Sequence, residues 1–125
     1  MPCIRPLSLC RSYERQANVR VWLLMSYAEL EMKVVQWSEA RKIIPNSTPL
    51  AQSIKACEEI NELVDALRDG NKIEAIDAVG DTVVCLINVC ALLDVNLTDC
   101  LEAAYHQIKD RRGYMNAEGI FVKEI

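Results

Sequence analysis

Residues 48–93 read TPLAQSIKACEEINELVDALRDGNKIEAIDAVGDTVVCLINVCALL, and this stretch determines the architecture of the chain. Thr48 and the proline after it are a typical helix start, because threonine caps the first turn and proline tolerates the first helical position. That helix runs to about Arg68 and ends near Gly70, the usual terminator. A second helix follows over about residues 72–93. Two consecutive helices joined by so short a loop pack antiparallel, so the sequence predicts a helical hairpin.

Further helices flank this hairpin on both sides. Helical periodicity covers about residues 29–43, and a last helix is expected from Thr98, acting as its cap, to Arg112. The tail at 114–125, YMNAEGIFVKEI, has a turn signal and then a β-branched stretch, which favours a small hairpin or a packed extension. The predicted fold is all-α, an antiparallel bundle of four to five helices with a short C-terminal extension.

The beginning of the chain differs from the rest. Residues 1–15 carry two prolines and no stable period, and we interpret residues 1–27 as an N-terminal arm, either loose or forming an extra helix. The helical domain is expected over residues 28–125. No signal peptide pattern is present at either end, and the apolar run TVVCLINVCALL is shorter than the roughly 20 residues that cross a bilayer.

Composition excludes several kinds of function. The net charge of −4 argues against binding a nucleic-acid polymer, since such proteins use clustered Lys and Arg to neutralise phosphates. Six cysteines show neither CxxC pairing nor Cys/His spacing for zinc. Three of them, Cys57, Cys85 and Cys90, lie in apolar helical patterns where a thiol behaves as a small hydrophobe, so a reducing cytoplasm is expected.

The two helices of the hairpin each carry an acidic stripe. At 3.6 residues per turn, Lys55, Glu59 and Glu62 fall within roughly 60° on the first helix. Four residues share a similar sector of about 60° on the second: Glu74, Asp77, Asp81 and Asn88. A solvated face is the usual meaning of such a stripe. The alternative is a cation site, because carboxylates crowded beside a buried segment raise one another's pKa and cost stability unless a cation compensates.

The residue types restrict which cation could bind. Oxygen ligands without histidine or cysteine indicate Mg²⁺, with Mn²⁺ as a substitute, and a lone histidine, His106, cannot supply a di-iron bundle site. Magnesium held by a few carboxylates usually completes its shell with water and substrate phosphates. A phosphorylated substrate is therefore expected.

Several segments resemble the MazG-like all-α nucleoside triphosphate pyrophosphohydrolases. The motifs are Glu58-Glu59-x-x-Glu62, and Gly80-Asp81 followed by an apolar helix. The segments VVQWSEARKIIPNSTPLAQSIKACEEINEL and CLEAAYHQIKDRRG…GIFVKEI are also similar to the family, and the resemblance covers roughly residues 33–125. It implies an all-α domain that assembles as a homodimer or homotetramer.

The resemblance also assigns roles in the acidic motifs. It makes Glu59 and Glu62 the first pair of metal ligands and Asp81 the aspartate of the second pair. Where the family commonly has Glu, this chain has Ala78. Asp77, one residue earlier, is the expected substitute, and a shifted register that uses Glu74 with Asp77 is the alternative.

Other side chains are candidates for substrate contacts. Lys55 contacts a phosphate or pairs with the acids on its own helix. Lys109 and Arg112, which also suit a helix C-terminus, are expected from the resemblance to bind the triphosphate. Trp37 is expected to stack on a base, with a core position as the alternative. Asn88 contacts a sugar or base, or satisfies a polar neighbour, and His106 is expected at the margin of the site.

The resemblance implies a Mg²⁺-dependent hydrolase that cleaves a (deoxy)nucleoside triphosphate to the monophosphate and pyrophosphate, cleansing the nucleotide pool. The catalytic set is expected to be Glu58, Glu59, Glu62 and Asp81, with Glu58 positioning the attacking water. Two alternatives remain open. One is a phosphoribosyl-ATP pyrophosphohydrolase, and the other is a non-catalytic nucleotide-binding module, suggested by Ala78. No membrane partner is expected.

Overall fold

The computed structural model describes residues 25–125 of the chain. Within this range it contains five helices and one two-stranded antiparallel sheet, which confirms the predicted all-α class with a short C-terminal extension. Residues 1–24 of the predicted arm lie outside the described residues. The boundary placed between residues 27 and 28 therefore stays a prediction.

The first helix, α1, spans Tyr27–Ala40. It begins earlier than expected because Ser26 caps it, its Oγ accepting a hydrogen bond from the amide of Glu29 at 3.1 Å. It also ends earlier, since Lys42 adopts a left-handed backbone with φ 63°. A four-residue helix, α2 at Ile43–Asn46, begins where the predicted helix was expected to end.

The central hairpin has the predicted boundaries. Helix α3 spans Pro49–Arg68 and begins where Thr48 Oγ1 accepts from the Ala51 amide at 3.0 Å. Helix α4 spans Lys72–Leu92. Gly70 lies between them with φ 69°, a backbone conformation that favours glycine. These two helices share the most extensive interface of the described chain, and the other three helices attach to α4 rather than to α3.

The interface between α3 and α4 is built from small side chains. Its fully buried residues include Ala56, Ala66, Ala75 and Ala78. The side of α4 opposite its acidic stripe is apolar and consists of Ile76, Val79, Val83, Ile87 and Cys90. Only its C-terminal part is covered, by α1 and α5, since Ile87 and Cys90 are buried whereas Ile76 is 56% exposed and Val79 49% exposed. The first half of that face has no covering element among residues 25–125.

Helix α5, at Leu97–Ile108, is shorter than predicted. Asn96 and not Thr98 occupies its cap position, and Thr98 instead donates its hydroxyl to Glu31 of α1 at 2.7 Å. The helix stops before Lys109, so the basic residues that we placed in its last turn lie at or beyond its end. The side of α5 away from α4 is exposed.

The tail forms the predicted small hairpin. Strand β1 at Gly113–Met115 pairs antiparallel with β2 at Phe121–Lys123. Asn116 closes the turn, its Oδ1 accepting from two amides of the turn at 2.9 and 3.0 Å. A side chain at Gly113 would collide with the Val122 carbonyl, so this close approach requires glycine. Within the described chain the two strands contact each other and no helix.

By length and composition alone, α4 is the one described helix that could cross a membrane. The whole helix has 21 residues, longer than the apolar run considered above. The core helix of a soluble protein passes the same test, and α4 buries several residues against α3 and carries two aspartates. The expected lack of a membrane partner stays a prediction.

Candidate active site

The acidic side chains of α3 and α4 meet along one side of the hairpin. Glu58, Glu59 and Glu62 come from α3, and Asp77 and Asp81 come from α4. Glu59 is the buried member, 7% exposed, and the other four are exposed. Its burial follows from its position one turn after Ala56, a residue in the centre of the helix interface.

Lys55 is the cation nearest to these acids. Its Nζ lies 3.1 Å from Glu58 Oε2 and 3.5 Å from Glu59 Oε1. The bond to Glu58, and then the charges of Glu58 and Glu59, raise the pKa of Lys55. The intrahelical pairing considered for Lys55 is therefore present, and it leaves the lysine half-exposed at the edge of the site.

Repulsion among the carboxylates is visible in two pKa values. The negative charge of Glu59 is the largest cause that raises the pKa of Glu62, and the charge of Asp81 adds to the effect. Desolvation by burial, followed by the charges of Asp77 and Glu59, raises the pKa of Asp81. Carboxylates from both helices thus act on one another, as the sequence predicted.

One oxygen of Glu59 has no hydrogen-bond partner. Glu59 Oε2 is buried and is the one such side-chain atom among residues 25–125. A buried carboxylate oxygen without a donor is costly, and a hard cation satisfies it as well as a donor would. The acids are not already arranged as a metal centre, since no three His, Cys, Asp or Glu side chains in the described residues converge on one point. The donor chemistry nevertheless fits Mg²⁺ or Mn²⁺.

The positions of Asp77 and Ala78 bear on which residue supplies the second acid of α4. Ala78 is buried in the helix interface, 3% exposed, and contributes no ligand. Asp77 is close enough to raise the pKa of Asp81 by its charge. Glu74 lies in the first turn of α4, where its amide donates to the capping Asn71. The placement favours Asp77 with Asp81 over the shifted register that uses Glu74.

A buried hydrogen-bond network lies along the same two helices, about two turns away from the acids. Ser38 Oγ donates to Asn88 Oδ1 at 2.5 Å, and Asn88 Nδ2 donates to Gln52 Oε1 at 3.1 Å. Gln52 in turn donates to Ser47 Oγ at 3.0 Å. Asn88 is only 2% exposed, so the structure places it in the second of the two roles considered, satisfying polar neighbours. A sugar or base contact by Asn88 would require this network to open.

Trp37 is not a core residue. Its ring is 48% exposed, and the Arg41 guanidinium lies 5.9 Å from the ring centroid. The residue after it, Ser38, is fully buried against Asn88, so the backbone beside the tryptophan is held firmly. An exposed ring on a fixed backbone suits stacking on a base, which stays a prediction.

The basic residues after α5 are separate from the acids. Neither Lys109 nor Arg112 forms an ion pair within residues 25–125, and α5 makes no contact with α3 there. His106 lies 3.7 Å from Glu102 on its own helix and does not border the acids, contrary to its expected place at the margin of the site. The structure therefore does not bring the predicted phosphate ligands of α5 to the carboxylates of the same chain.

Sequence reasoning missed one buried carboxylate, Glu31. It is 7% exposed and accepts from the Leu97 amide at 2.6 Å, the Thr98 amide at 3.0 Å and the Thr98 hydroxyl. Burial raises its pKa, but the bonds from Thr98 and Leu97 outweigh burial and hold it below its ordinary value. No local pattern could have identified it, because its partners lie far along the chain and are apposed only by the packing of α1 against α5.

Comparison with known proteins identifies one family and one shared fold. The profile of the family described as phosphoribosyl-ATP pyrophosphohydrolase matches residues 44–107, about half of the chain and all of the hairpin. No curated protein matches the chain. A similar solved structure is the MazG-like pyrophosphohydrolase of cyanophage S-2L, bound to dGDP and three catalytic Mn²⁺ ions per active site. The TM-score is 0.61 at 22% identity, covering 82% of this chain and 100% of that chain, which establishes a shared fold.

Proposed function

The chain belongs to the phosphoribosyl-ATP pyrophosphohydrolase family, and from this premise we propose that it hydrolyses a nucleoside triphosphate to the monophosphate and pyrophosphate. The family acts on phosphoric anhydrides, which confirms the resemblance and the enzyme class inferred from the acidic motifs. The observation that carries the proposal is the buried, unpartnered oxygen of Glu59 beside two carboxylates whose pKa is raised. A cation bound there would satisfy the open oxygen and offset the repulsion among the acids.

The residues that would hold Mg²⁺ or Mn²⁺ are Glu59, Glu62, Asp77 and Asp81. Such an ion, when bound, neutralises phosphate charge and lowers the pKa of a coordinated water. The chain supplies the framework for this, since the buried Glu59 presents Oε2 from a fixed helix and the exposed acids reach the same side of the hairpin. The solved structure of similar fold binds Mn²⁺ ions and a nucleotide, which supports a divalent cation as the cofactor.

Two side chains outside the ligand set have roles of their own. Glu58 is exposed, and its Oε2 lies 3.1 Å from Lys55 Nζ. Its carboxylate is therefore positioned to orient an attacking water at the edge of the acidic cluster. Lys55 is the cation at that edge, and a phosphate that displaces Glu58 from it would gain a charge-assisted bond. The exposed Trp37 offers a stacking surface for the base.

The assembly is proposed to be a homodimer or homotetramer. The exposed apolar residues are too many for scattered surface positions, and they form stripes. One stripe is on α5, at Leu101, Tyr105 and Ile108, each at least half exposed. Another is the open apolar cleft of about 450 Å³ at the end of the hairpin, lined by residues such as Leu67, Ile76 and Val79. Light scattering that shows a monomer at micromolar concentration would contradict this.

An assembly also bears on Lys109 and Arg112. Within the described residues α5 does not contact α3, and neither cation forms an ion pair with the acids. A neighbouring copy offers a second source for the phosphate contacts. Their role as phosphate ligands is part of the proposal, as are the cytoplasmic location and the lack of a nucleic-acid or membrane partner.

A second substrate is favoured by one specific finding. The matching family is named for phosphoribosyl-ATP, whose hydrolysis needs the same metal and phosphate chemistry at the acids. The test is a screen of pyrophosphate release with deoxynucleoside and ribonucleoside triphosphates and phosphoribosyl-ATP, at several Mg²⁺ and Mn²⁺ concentrations. Release from a nucleoside triphosphate, abolished in Asp81→Asn, supports the proposal.

Two other outcomes of that screen would contradict it. Turnover of phosphoribosyl-ATP alone would identify the second substrate as the physiological class. Binding of a triphosphate with no release at any metal concentration would identify a non-catalytic module, as Ala78 suggested. Glu39→Gln is the matched control, because Glu39 is exposed on α1, outside the acidic cluster.

A further inference from the structure

Two cysteines that the proposed reaction does not use lie next to each other across helices. Cys90 is in the last turn of α4 and Cys100 is in the first half of α5, and their sulfur atoms are 4.0 Å apart. Cys90 is buried at 7% exposure, whereas Cys100 is exposed. The Cys100 thiol is therefore accessible to solvent, whereas the Cys90 thiol is buried in the protein interior.

The surroundings hold this pair in place. The carbonyl of Cys90 accepts from the Val95 amide at 2.9 Å, which fixes the start of the short connection to α5. Glu31 anchors the other end of that connection through Leu97 and Thr98. A disulfide requires the sulfurs to approach to about 2.05 Å, and the exposed side chain of Cys100 is free to turn toward Cys90.

We propose that Cys90 and Cys100 form a reversible oxidation site, at which a hydroperoxide converts the two thiols into a disulfide joining α4 to α5. This inference is independent of the proposed pyrophosphohydrolase activity, because it uses no residue of the acidic cluster. Oxidation would covalently join α4 to α5, a helix that is otherwise anchored to α1 through Glu31.

The two sulfurs take different roles in the reaction. Burial, and then the hydrogen bond with Cys100, raises the pKa of Cys90 to about 11, so this thiol stays protonated at neutral pH. The exposed Cys100 reacts first. Its thiolate attacks the O–O bond of the hydroperoxide, forming an S–O bond and releasing an alcohol or water, so that the sulfur is oxidised to a sulfenic acid while the peroxide is reduced.

Cys90 then resolves the sulfenic acid. Its sulfur attacks the Cys100 sulfur, the S–O bond breaks, and the departing hydroxide leaves as water with the proton of Cys90. The net reaction consumes two thiols and one hydroperoxide and yields a disulfide, an alcohol or water, and a water. A dithiol reductant such as dithiothreitol reverses it by exchange.

The test is peptide mapping of the full chain after treatment with hydrogen peroxide and alkylation of the remaining thiols. The expected product is a peptide pair joined through Cys90 and Cys100, lighter by two hydrogen atoms, that dithiothreitol separates again. In Cys90→Ala, a small replacement for a buried thiol, Cys100 lacks its resolving partner and is expected to proceed to the sulfinic acid, which dithiothreitol does not reduce.

Cys57→Ser is the matched control, since Cys57 is an exposed cysteine on α3 and its loss should leave the joined peptide unchanged. The proposal is overturned if the unmodified protein yields Cys100 as free thiol, as sulfinic acid, or joined to any other cysteine under the same treatment. The map of the unmodified protein decides this even if Cys90→Ala fails to fold, and loss of pyrophosphate release has no bearing on it.

Discussion

Glu31 and Glu59 are buried to the same extent, 7% exposed, yet their surroundings are opposite. Glu31 accepts three hydrogen bonds from the start of α5, and its pKa is lowered. Glu59 has one oxygen 3.5 Å from Lys55 and another without any partner, and its charge raises the pKa of Glu62. The two carboxylates are therefore equally buried but differ in how fully their oxygens are hydrogen-bonded.

Under the proposed function, Glu31 is a structural carboxylate and Glu59 is a metal ligand. A buried acid that is fully hydrogen-bonded at a helix N-terminus stabilises the fold, because amides and the helix dipole replace its lost hydration. A buried acid with an open lone pair and like-charged neighbours destabilises the fold until a ligand arrives. Substitution of Glu31 and substitution of Glu59 are therefore expected to have opposite effects on activity and stability.

The largest expected effect is on turnover. Glu59→Gln removes a ligand charge while keeping the shape of the side chain, and we expect pyrophosphate release to fall at least about 1,000-fold, which corresponds to roughly 4 kcal/mol of transition-state stabilisation. Glu31→Gln should change turnover by less than about threefold, because Glu31 lies against α5 and away from the acids. Equal losses of turnover in Glu59→Gln and Glu31→Gln would contradict the different roles given to these two residues.

Metal binding should stabilise the protein through Glu59 and the other acids of the cluster, and not through Glu31. Mn²⁺ at about 100 times its dissociation constant should add about 2.7 kcal/mol to the free energy of unfolding, seen as a rise in Tm. Glu31→Gln should retain that rise and Glu59→Gln should lose most of it. A Tm that does not respond to Mg²⁺ or Mn²⁺ in the unmodified protein would argue against the cation site.

Stability without metal should show the reverse order. Glu31→Ala leaves two amides and one hydroxyl at the start of α5 without their acceptor, and we expect a loss of about 2–3 kcal/mol in urea unfolding. Glu39→Ala is the matched exposed control on the same helix. Glu59→Ala should cost less than Glu31→Ala, since it relieves repulsion, and a larger loss at Glu59 would contradict the assignment.

The smallest expected effect is a pH dependence. A carboxylate whose folded pKa is lowered contributes stability that is fully present above its unfolded pKa, ordinarily 4.5, and is lost as the pH falls through the folded pKa. The difference in unfolding free energy between the unmodified protein and Glu31→Gln should therefore be constant near neutrality, at about 1 kcal/mol, and shrink below about pH 4.5. The test is a set of unfolding curves measured at a series of pH values. A difference in unfolding free energy that stays constant below about pH 4.5 would show that Glu31 is not involved.

Local signals account well for the hairpin and less well for its surroundings. Thr48 and Gly70 delimit α3 as expected, because caps and left-handed turns act through residues adjacent in sequence. The periodicity of α4 indicated an apolar face, but not that Ile76 and Val79 would remain uncovered in a single chain. Thr98 looked like a helix cap and instead donates to Glu31, since a partner distant in sequence can outcompete a local role.

The amino-acid sequence alone determined the two helices of the hairpin, their acidic stripes and the type of cation that these acids favour. It could do so because periodicity, helix caps and ligand type are properties of residues that are close together in the chain. Packing alone established which carboxylate is buried with an open oxygen, which one anchors α5, and that Asn88 is enclosed between Ser38 and Gln52. Burial and hydrogen-bond partners depend on residues far apart in the chain, and these are what distinguish a solvated acid from a ligand.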